Sequence, residues 1–425
     1  MAFWTKEASS MENEIFSDYI RFELFYPGDH RITDQFHFDK DYIPNPINRQ
    51  GWKVLDERSS DNSCLSPLSL YQALGMLANG TEKRSKAEKR LLDYLSVPSV
   101  TALNDLILDI RSKMSGSDSD SCSSNLASLL LANSLENSSE DISPSYRKTI
   151  SDVFGSDVWI EDFSDDELLQ KVSGYISRAT RGTIPDYSPS FSADDSLCLY
   201  DVVHFAGEWK YPFDQDSVEE YDFTDVRGVK HSVMMMFDEQ KECIRYHSDG
   251  KYRGIELPYG SDDGFAMYLI LPFDDKSDIA SRWAGEDIRY REQFIDGIAS
   301  ADYWHHLSLG VPRFSLDNEC DMTETLDSLG LKCLFSQGSG LNGILQSKEP
   351  QVSRVQQRVH IEVDEGGTKA AAVTEIYQKL GKPDVFCVSD YDEFICEVPF
   401  VFVLRHKPTG TNLFVGCYGR PEDQS

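Results

Sequence analysis

The segment from Val363 to Thr374 constrains this 425-residue chain more than any other. A run of strand character, Val359 to Val363, passes through Asp364 and Glu365 and meets paired glycines, Gly366 and Gly367. No turn comes after them. The chain continues through Thr368, Lys369, Ala370, Ala371, Ala372, Val373 and Thr374. Read at the period of a strand, one face is Thr368, Ala370, Ala372, Thr374, Ile376, Gln378 and Leu380. The other is Lys369, Ala371, Val373, Glu375, Tyr377 and Lys379, and it carries all the charge. The uncharged face starts with side chains small enough to slide between two other strands. The same residues also fit a glycine-hinged edge strand of an ordinary β-rich protein. The next stretch, Gln378 to Glu397, is long, polar and acidic and holds Gly381 and Pro383. Unstructured connections of that length inside a compact domain are functional or disordered.

Charge removes several classes of partner. The formal net charge of -31 opposes the dense positive field that nucleic acid, anionic membrane or heparin binding needs, so none of the three is expected. The one basic cluster, Lys83, Arg84, Lys86, Lys89 and Arg90, is broken by Glu88 and reads as a solvated helix face. No run of eighteen apolar residues occurs, so a membrane-spanning helix is not expected either. Met1 to Glu14 lack the basic start and apolar stretch of a cleaved signal peptide. Nine cysteines at irregular spacing, with no CxxC, fit free thiols in a reducing compartment. The expectation is a cytoplasmic monomer, or one released without a cleaved signal; the sequons at Asn79 and Asn137 matter only in the secretory pathway. The histidines are scattered, and no HExxH, GxSxG or phosphate-cradling glycine loop occurs. No catalytic residue, metal or cofactor is therefore assigned, and His305-His306 reads as a surface pair.

Along the chain, residues 1–60 read as irregular, with an amphipathic helix near Ile15 to Tyr26 and a loop from Pro27 to Asn48. Ser66-Pro67 opens a helix, since Ser66 can cap and Pro67 suits the first turn. Further helices are expected over 85–95, 101–114, 143–154 (capped by Ser143) and 168–180. Ser115 to Ser124, nearly all Ser, Asp and Gly, reads as a mobile loop, and Leu126 to Leu135 as a buried strand. From Leu197 onward strands dominate, at 197–205, 232–237, 255–258, 266–271, 307–311 and 359–363. The chain closes with a buried hairpin, Val398–Leu404 and Leu413–Gly416, around a Lys407-Pro408-Thr409-Gly410 turn. Helices first and strands later, without regular alternation, indicate an α+β fold.

The stretch Glu365-Gly366-Gly367-Thr368-Lys369-Ala370-Ala371-Ala372 resembles the hinge of the serpins, protease inhibitors of the suicide-substrate type. Other serpin-like motifs stand in the expected order. They are Asn62 with Ser66-Pro67-Leu68-Ser69, Ala132-Asn133, Thr180 with Ile184, and Phe205-Ala206-Gly207-Glu208-Trp209 with Pro212-Phe213. Then come Leu257-Pro258-Tyr259, Leu271-Pro272, Val311-Pro312-Arg313-Phe314, Leu329-Gly330 and the terminal Pro399-Phe400 to Gly416. The resemblance covers Asn62 to Pro421, giving a divergent segment 1–60 and a serpin domain 61–425.

The resemblance implies a single domain of three β-sheets and about nine helices, a metastable native state, and an exposed reactive loop at about 365–398. A serine or papain-like cysteine protease cuts that loop, and the freed strand inserts into the central sheet while the protease is still esterified. Such insertion is a form of strand addition, in which main-chain hydrogen bonds on the strand's edges supply the driving force. The hinge would be Glu365, Gly366, Gly367, Thr368, Ala370, Ala371 and Ala372. Serpin spacing from Glu365 puts the reactive bond at Gly381–Lys382, with cuts after Leu380 or Lys379 as alternatives. A structural switch region would comprise Ser66, Ser69, Asp201, Gln357 and Trp209. There an Asn–His pair common in serpins is replaced by Asp201 and Gln357, which should lie together and be hydrogen-bonded. The loop is longer than usual on its carboxyl side, where Cys387 and Cys396 read as isolated surface thiols. The alternative function is a non-inhibitory serpin that acts as a binding, storage or chaperone protein; the small, uncharged hinge favours inhibition.

Overall fold

In the computed structural model the described residues are 38–58, 62–119, 121–134, 142–182, 184, 189, 191–241, 244–274, 278–304, 307–345, 350–368 and 392–421. Local chemistry sets where helices begin. The Ser66 hydroxyl accepts from Ser69 N at 3.3 Å and Pro67 takes the first helical position, so Pro67–Asn79 starts there. Ser85 and Ser99 cap Lys86–Leu95 and Val100–Ser115 in the same way. Ser96 between these two sits in the left-handed region at φ 56°, so they are separate helices rather than one long rod. Pro67–Asn79 is buried on nearly every side, as a helix apolar all round must be. Lys83, Arg84, Lys86, Lys89 and Arg90 are all exposed, the solvated face their spacing suggests.

The described strands form three sheets. One has seven strands, ordered Asn62–Leu65, Thr411–Tyr418, Phe400–His406, Phe265–Pro272, Tyr252–Tyr259, Ile244–Ser248 and Tyr303–Trp304. The terminal hairpin lies at its heart, turning at Gly410 with φ 63°. A Cβ at Gly416 would lie 2.2 Å from the Ser63 carbonyl oxygen, so that crossing needs glycine. A four-stranded sheet runs Asp392–Ile395, Leu307–Pro312, Lys230–Lys241, Val218–Thr224.

The main sheet is built from β1 (Cys122–Asn133), β2 (Asp157–Glu161), β3 (Leu197–Glu208), β4 (Phe314–Asp321), β5 (Val352–Asp364) and β6 (Gly367–Thr368). Their order is β4–β5–β6–β3–β1–β2, with an additional direct pairing of β5 to β3. Alternate residues of β3 face two cores. Leu197, Leu199, Val203 and Phe205 join the large one, while Cys198, Tyr200 and Val202 pack under the Glu167–Ala179 helix.

Several sequence expectations are corrected. Pro46–Asp56, read as irregular, is a helix whose Trp52 is fully buried. It is stitched to the body by polar contacts: Trp52 Nε1 and Asn48 Nδ2 donate to Glu292 at 2.6 and 2.7 Å, and Arg291 pairs with Asp56. Glu292 is also held by buried Arg405 at 2.7 Å. The Ser115–Ser124 stretch is no open loop: β1 already begins at Cys122. The Asp118 carboxylate accepts from Ser124 N at 2.9 Å, and Ser119 N bonds the Cys122 carbonyl at 2.7 Å, so polar side chains fold it into a turn. Ser143 does not cap the helix after it, because its hydroxyl pairs with that of Ser145. The first helix near Ile15 to Tyr26 and His305-His306 lie outside the described residues.

Candidate functional site

β3 and β5 run parallel and are directly hydrogen-bonded from Leu197 opposite Val352 to Val203 opposite Val359. Beyond that point they part, and β6 fills the gap. Thr368 stands opposite Val363 on one side and Gly207 on the other; Gly367 stands opposite Asp364 and Glu208, antiparallel to both strands. The sheet is thus closed along most of its seam and wedged open at one end by two residues.

The wedge is tightly determined. Gly367 has φ 151°, and a Cβ there would meet the Gly207 carbonyl oxygen at 2.0 Å, so glycine is required. The Asp364 carboxylate accepts from Gly366 N at 2.9 Å and Gly367 N at 3.1 Å, bending the chain back on itself. Trp209 N donates to the Gly366 carbonyl at 2.8 Å and its indole to the Asp364 carbonyl at 2.9 Å. Phe213 N holds the Glu365 carbonyl at 3.0 Å, and Arg313 holds the Glu365 carboxylate at 2.8 Å. Thr368 is only 4% exposed, and its hydroxyl lies 2.5 Å from that of Tyr259. The Tyr259 ring stacks on Trp209 at 4.4 Å. Burial pushes the Tyr259 phenol well above its ordinary pKa, so it stays a neutral hydroxyl.

A second cluster lies on the core side of the closed seam. Gln357 stands opposite Asp201 across the β5–β3 pairing. Its amide nitrogen donates to the Asp201 carboxylate at 3.1 Å and to the Ser66 carbonyl at 3.0 Å, and its oxygen accepts from Ser66 N at 2.9 Å. Ser128 donates to the other Asp201 oxygen at 2.7 Å. Both Asp201 and Gln357 are buried. Burial raises the Asp201 pKa and favours its protonated form, while Ser69, Ser128 and Gln357 pull the other way. The Ser69 contact closes no hydrogen bond of ordinary geometry. One Gln357 side chain therefore ties both flanking elements together: β3 through Asp201, and the start of the Pro67–Asn79 helix through Ser66.

The sequence-nominated residues divide accordingly. Ser66, Ser69, Asp201 and Gln357 come together. Trp209, grouped with them by sequence, lies instead at the wedge with Glu365, Gly366, Gly367 and Thr368. Ala370, Ala371, Ala372, Lys379, Leu380, Gly381, Lys382 and Cys387 lie outside the described residues. The expected span of exposed loop shrinks at both ends. Thr368 is already in the sheet, and Asp392–Ile395 is a strand parallel to Leu307–Pro312. Cys396 comes directly after it, fully buried, with its N bonded to the Gly310 carbonyl at 2.8 Å, so it is no surface thiol. Tyr259, Asp364, Gly207 and Ser128 were missed as site residues; the first three are linked by the seating of β6 and Ser128 by the β1–β3 register, and sequence spacing carries neither.

The model of the family described as serpin (serine protease inhibitor) matches residues 52–421. This chain belongs to the serpin family. Among curated relatives it is similar to the leukocyte elastase inhibitor of Xenopus laevis, 26% identical over 87% of this chain and 96% of that protein. It is also similar to human Serpin I2, 27% identical over 86% of this chain and 87% of that one. Among solved structures, serpin-12 of Manduca sexta superposes with a TM-score of 0.75 at 17% identity, covering 89% of this chain and 99% of that one. The serpin fold, α+β with three sheets, is thereby established. The chain is a member of an inhibitor family, not an enzyme.

Proposed function

We propose that this serpin is a suicide-substrate inhibitor of serine or papain-like cysteine proteases. The observation that carries the reading is β6: two residues already seated between strands that pair directly with each other below it. A slot opened at one end and closed along the rest is the arrangement a further length of strand would need.

Continued at the register of β6, Ala370 would come between Phe205 and Ile361, and Ala372 between Val203 and Val359. Thr374 would come between Asp201 and Gln357, and both neighbouring registers agree on that residue. Admitting a strand moves β3 and β5 from about 4.8 Å apart to about twice that, which ends the direct Gln357–Asp201 hydrogen bond. A Thr374 hydroxyl suits the gap, since a buried carboxyl without a partner is costly.

The protease nucleophile gives up its proton and attacks the Gly381 carbonyl, the bond to Lys382 breaks, and the Lys382 amine leaves carrying that proton. The acyl-enzyme then persists only if insertion outruns hydrolysis. The small hinge side chains support a fast insertion, and the elastase inhibitor name of a relative supports a serine protease as one target class. Leu380 would suit papain-like enzymes, which select mainly on the residue before the cut. The described cysteines are all free thiols, which suits the cytoplasm or release without a cleaved signal.

The test is incubation with a panel of serine and cysteine proteases, then denaturing electrophoresis. A complex that survives SDS with at least one of them is expected. Cleavage by many and retention of none would favour a non-inhibitory binding or storage role.

A further inference from the structure

The point where β3 and β5 part carries a pair of residues that the inhibitory reading does not use. The last directly paired residues are Val203 and Val359, and each is succeeded by a histidine, His204 and His360. Strand alternation puts both on the face opposite Asp201 and Gln357, the face that the Glu167–Ala179 helix covers further along. Three residues beyond, at Gly207 and Val363, the strands are held apart by Thr368. The two imidazoles therefore stand at the fork itself. His204 is 3% exposed and His360 half-buried.

Charges around the fork come from each neighbouring element. On β1, Asn125 stands opposite His204 and donates to the Ala179 carbonyl. Beyond the helix, Arg181 reaches back to Ser123 of β1 at 3.0 Å. On β4, Asp317 stands opposite His360, and both Asp317 and Glu319 are taken by Arg358 of β5, at 2.6 and 3.1 Å. Glu362 is the next residue on that face of β5, opposite Ser315. Arg181 and His360 both bear on His204.

We propose that His204, at the fork it shares with His360, is an acid-operated release for the main sheet: proton uptake there places a buried cation within the field of Arg181, and parting β3 from β5 hydrates and relieves it. The sign comes from linkage. Burial, with Arg181 and His360 adding to it, lowers the His204 pKa from 6.5 to about 4 in the closed sheet. An opened fork hydrates the ring and restores its ordinary value. The closed seam is then favoured above about pH 6.5 and progressively disfavoured from there down to about pH 4, where the effect levels off. For a single site with these two values, the opening equilibrium rises about tenfold between pH 7.5 and 5.5. Acidification would thus hasten entry of any strand at this slot. The release is a property of the free protein and stands whether or not a protease is ever captured.

Amide hydrogen exchange of the full chain, corrected for intrinsic rates and read on peptides spanning β3 and β5, tests it without protease. Protection around 202–205 and 359–362 is expected to fall about tenfold from pH 7.5 to 5.5, and the fall to vanish in His204→Phe, which keeps an apolar ring at a buried site. His204→Gln is the second variant, neutral and polar, should the first disturb packing. His247 and His406 also have lowered pKa values, and peptides around them should respond equally in all three proteins. A seam whose protection does not change with pH in the parent, or changes as much in both variants, overturns the proposal. An intact pH response alongside failure to trap any protease would sink the inhibitory reading alone.

Discussion

Thr368→Arg is the sharpest probe of the wedge. Thr368 is buried, its hydroxyl meets Tyr259 at 2.5 Å, and Gly207 and Val363 flank it in the ladder. Arginine forfeits that hydrogen bond, worth about 1 kcal/mol. Its guanidinium must then either enter a site whose nearest polar group is a neutral phenol or hold β6 out of the sheet. Burying an unpaired cation costs several kcal/mol even after relaxation, so withdrawal of β6 is the outcome. If about 3–4 kcal/mol of that cost is felt while the strand is entering, insertion slows by a factor of roughly 10²–10³. Deacylation, untouched by the substitution, then wins. The variant should still be cut at the same bond but give no SDS-resistant complex, with many cleavages per protease inactivated. Titration of active protease against inhibitor, with gels of the products, reads both numbers. A variant that inhibits with the stoichiometry of the parent would falsify the insertion mechanism for this protein.

Other substitutions probe other parts of the site. Gly367→Ala puts a methyl 2.0 Å from the Gly207 carbonyl at a backbone angle alanine avoids, at a cost of about 1–3 kcal/mol. It should unseat β6 and shift the emission of Trp209, whose backbone and indole both bond the adjoining turn; unaltered fluorescence would count against the seating described. Asp201→Asn removes a carboxyl whose raised pKa makes it stabilising only when protonated. That contribution is present below the ordinary carboxylate value of 3.8 and lost as pH rises through the folded-state pKa. The variant should therefore unfold more slowly than the parent at pH 7.5, by roughly tenfold, with the gap narrowing toward pH 4; a faster-unfolding variant at pH 7.5 would show that the acid is the better partner for Gln357. Mass spectrometry of the small carboxyl-terminal peptide released by an inhibited protease should find Lys382 at its start, or Gly381 or Leu380 if the register slips. A peptide starting at or beyond Val385 would mean that the lengthened loop sets the cut.

Much of this architecture could be read from residues alone because local rules fixed it. Ser66-Pro67, Ser85 and Ser99 each put a capping oxygen where a helix begins, and the terminal hairpin announces itself through Pro408 and Gly410. The missed helix, Pro46–Asp56, buries Asn48, Gln50 and Gly51 among Ile47, Trp52 and Val54, so polar residues and a glycine interrupt the apolar stripe that would mark its inner face. Its reason for folding lies 244 residues away, at Glu292. The site was legible only in part. Paired glycines marked the turn into β6, and the altered pair at 201 and 357 is joined by a hydrogen bond. That Trp209 holds the turn before β6, that Tyr259 receives Thr368, and that two histidines stand at the fork all depend on strand register, which no single stretch of sequence encodes.

The placement of the final hairpin has a consequence for how the chain is made. Asn62–Leu65 is among the first strands to leave a ribosome, yet its ladder partner is Thr411–Tyr418, and the Ser66 contact with Gln357 begins one residue after it. For most of synthesis that strand has nothing to pair with, while β1 and β3, whose residues are closer in the chain, can already zip together. The nascent protein must therefore carry an unpartnered strand edge until Thr411–Tyr418 has been made. A stop codon in place of Thr411 would remove Thr411–Tyr418 and leave Asn62–Leu65 permanently without its ladder.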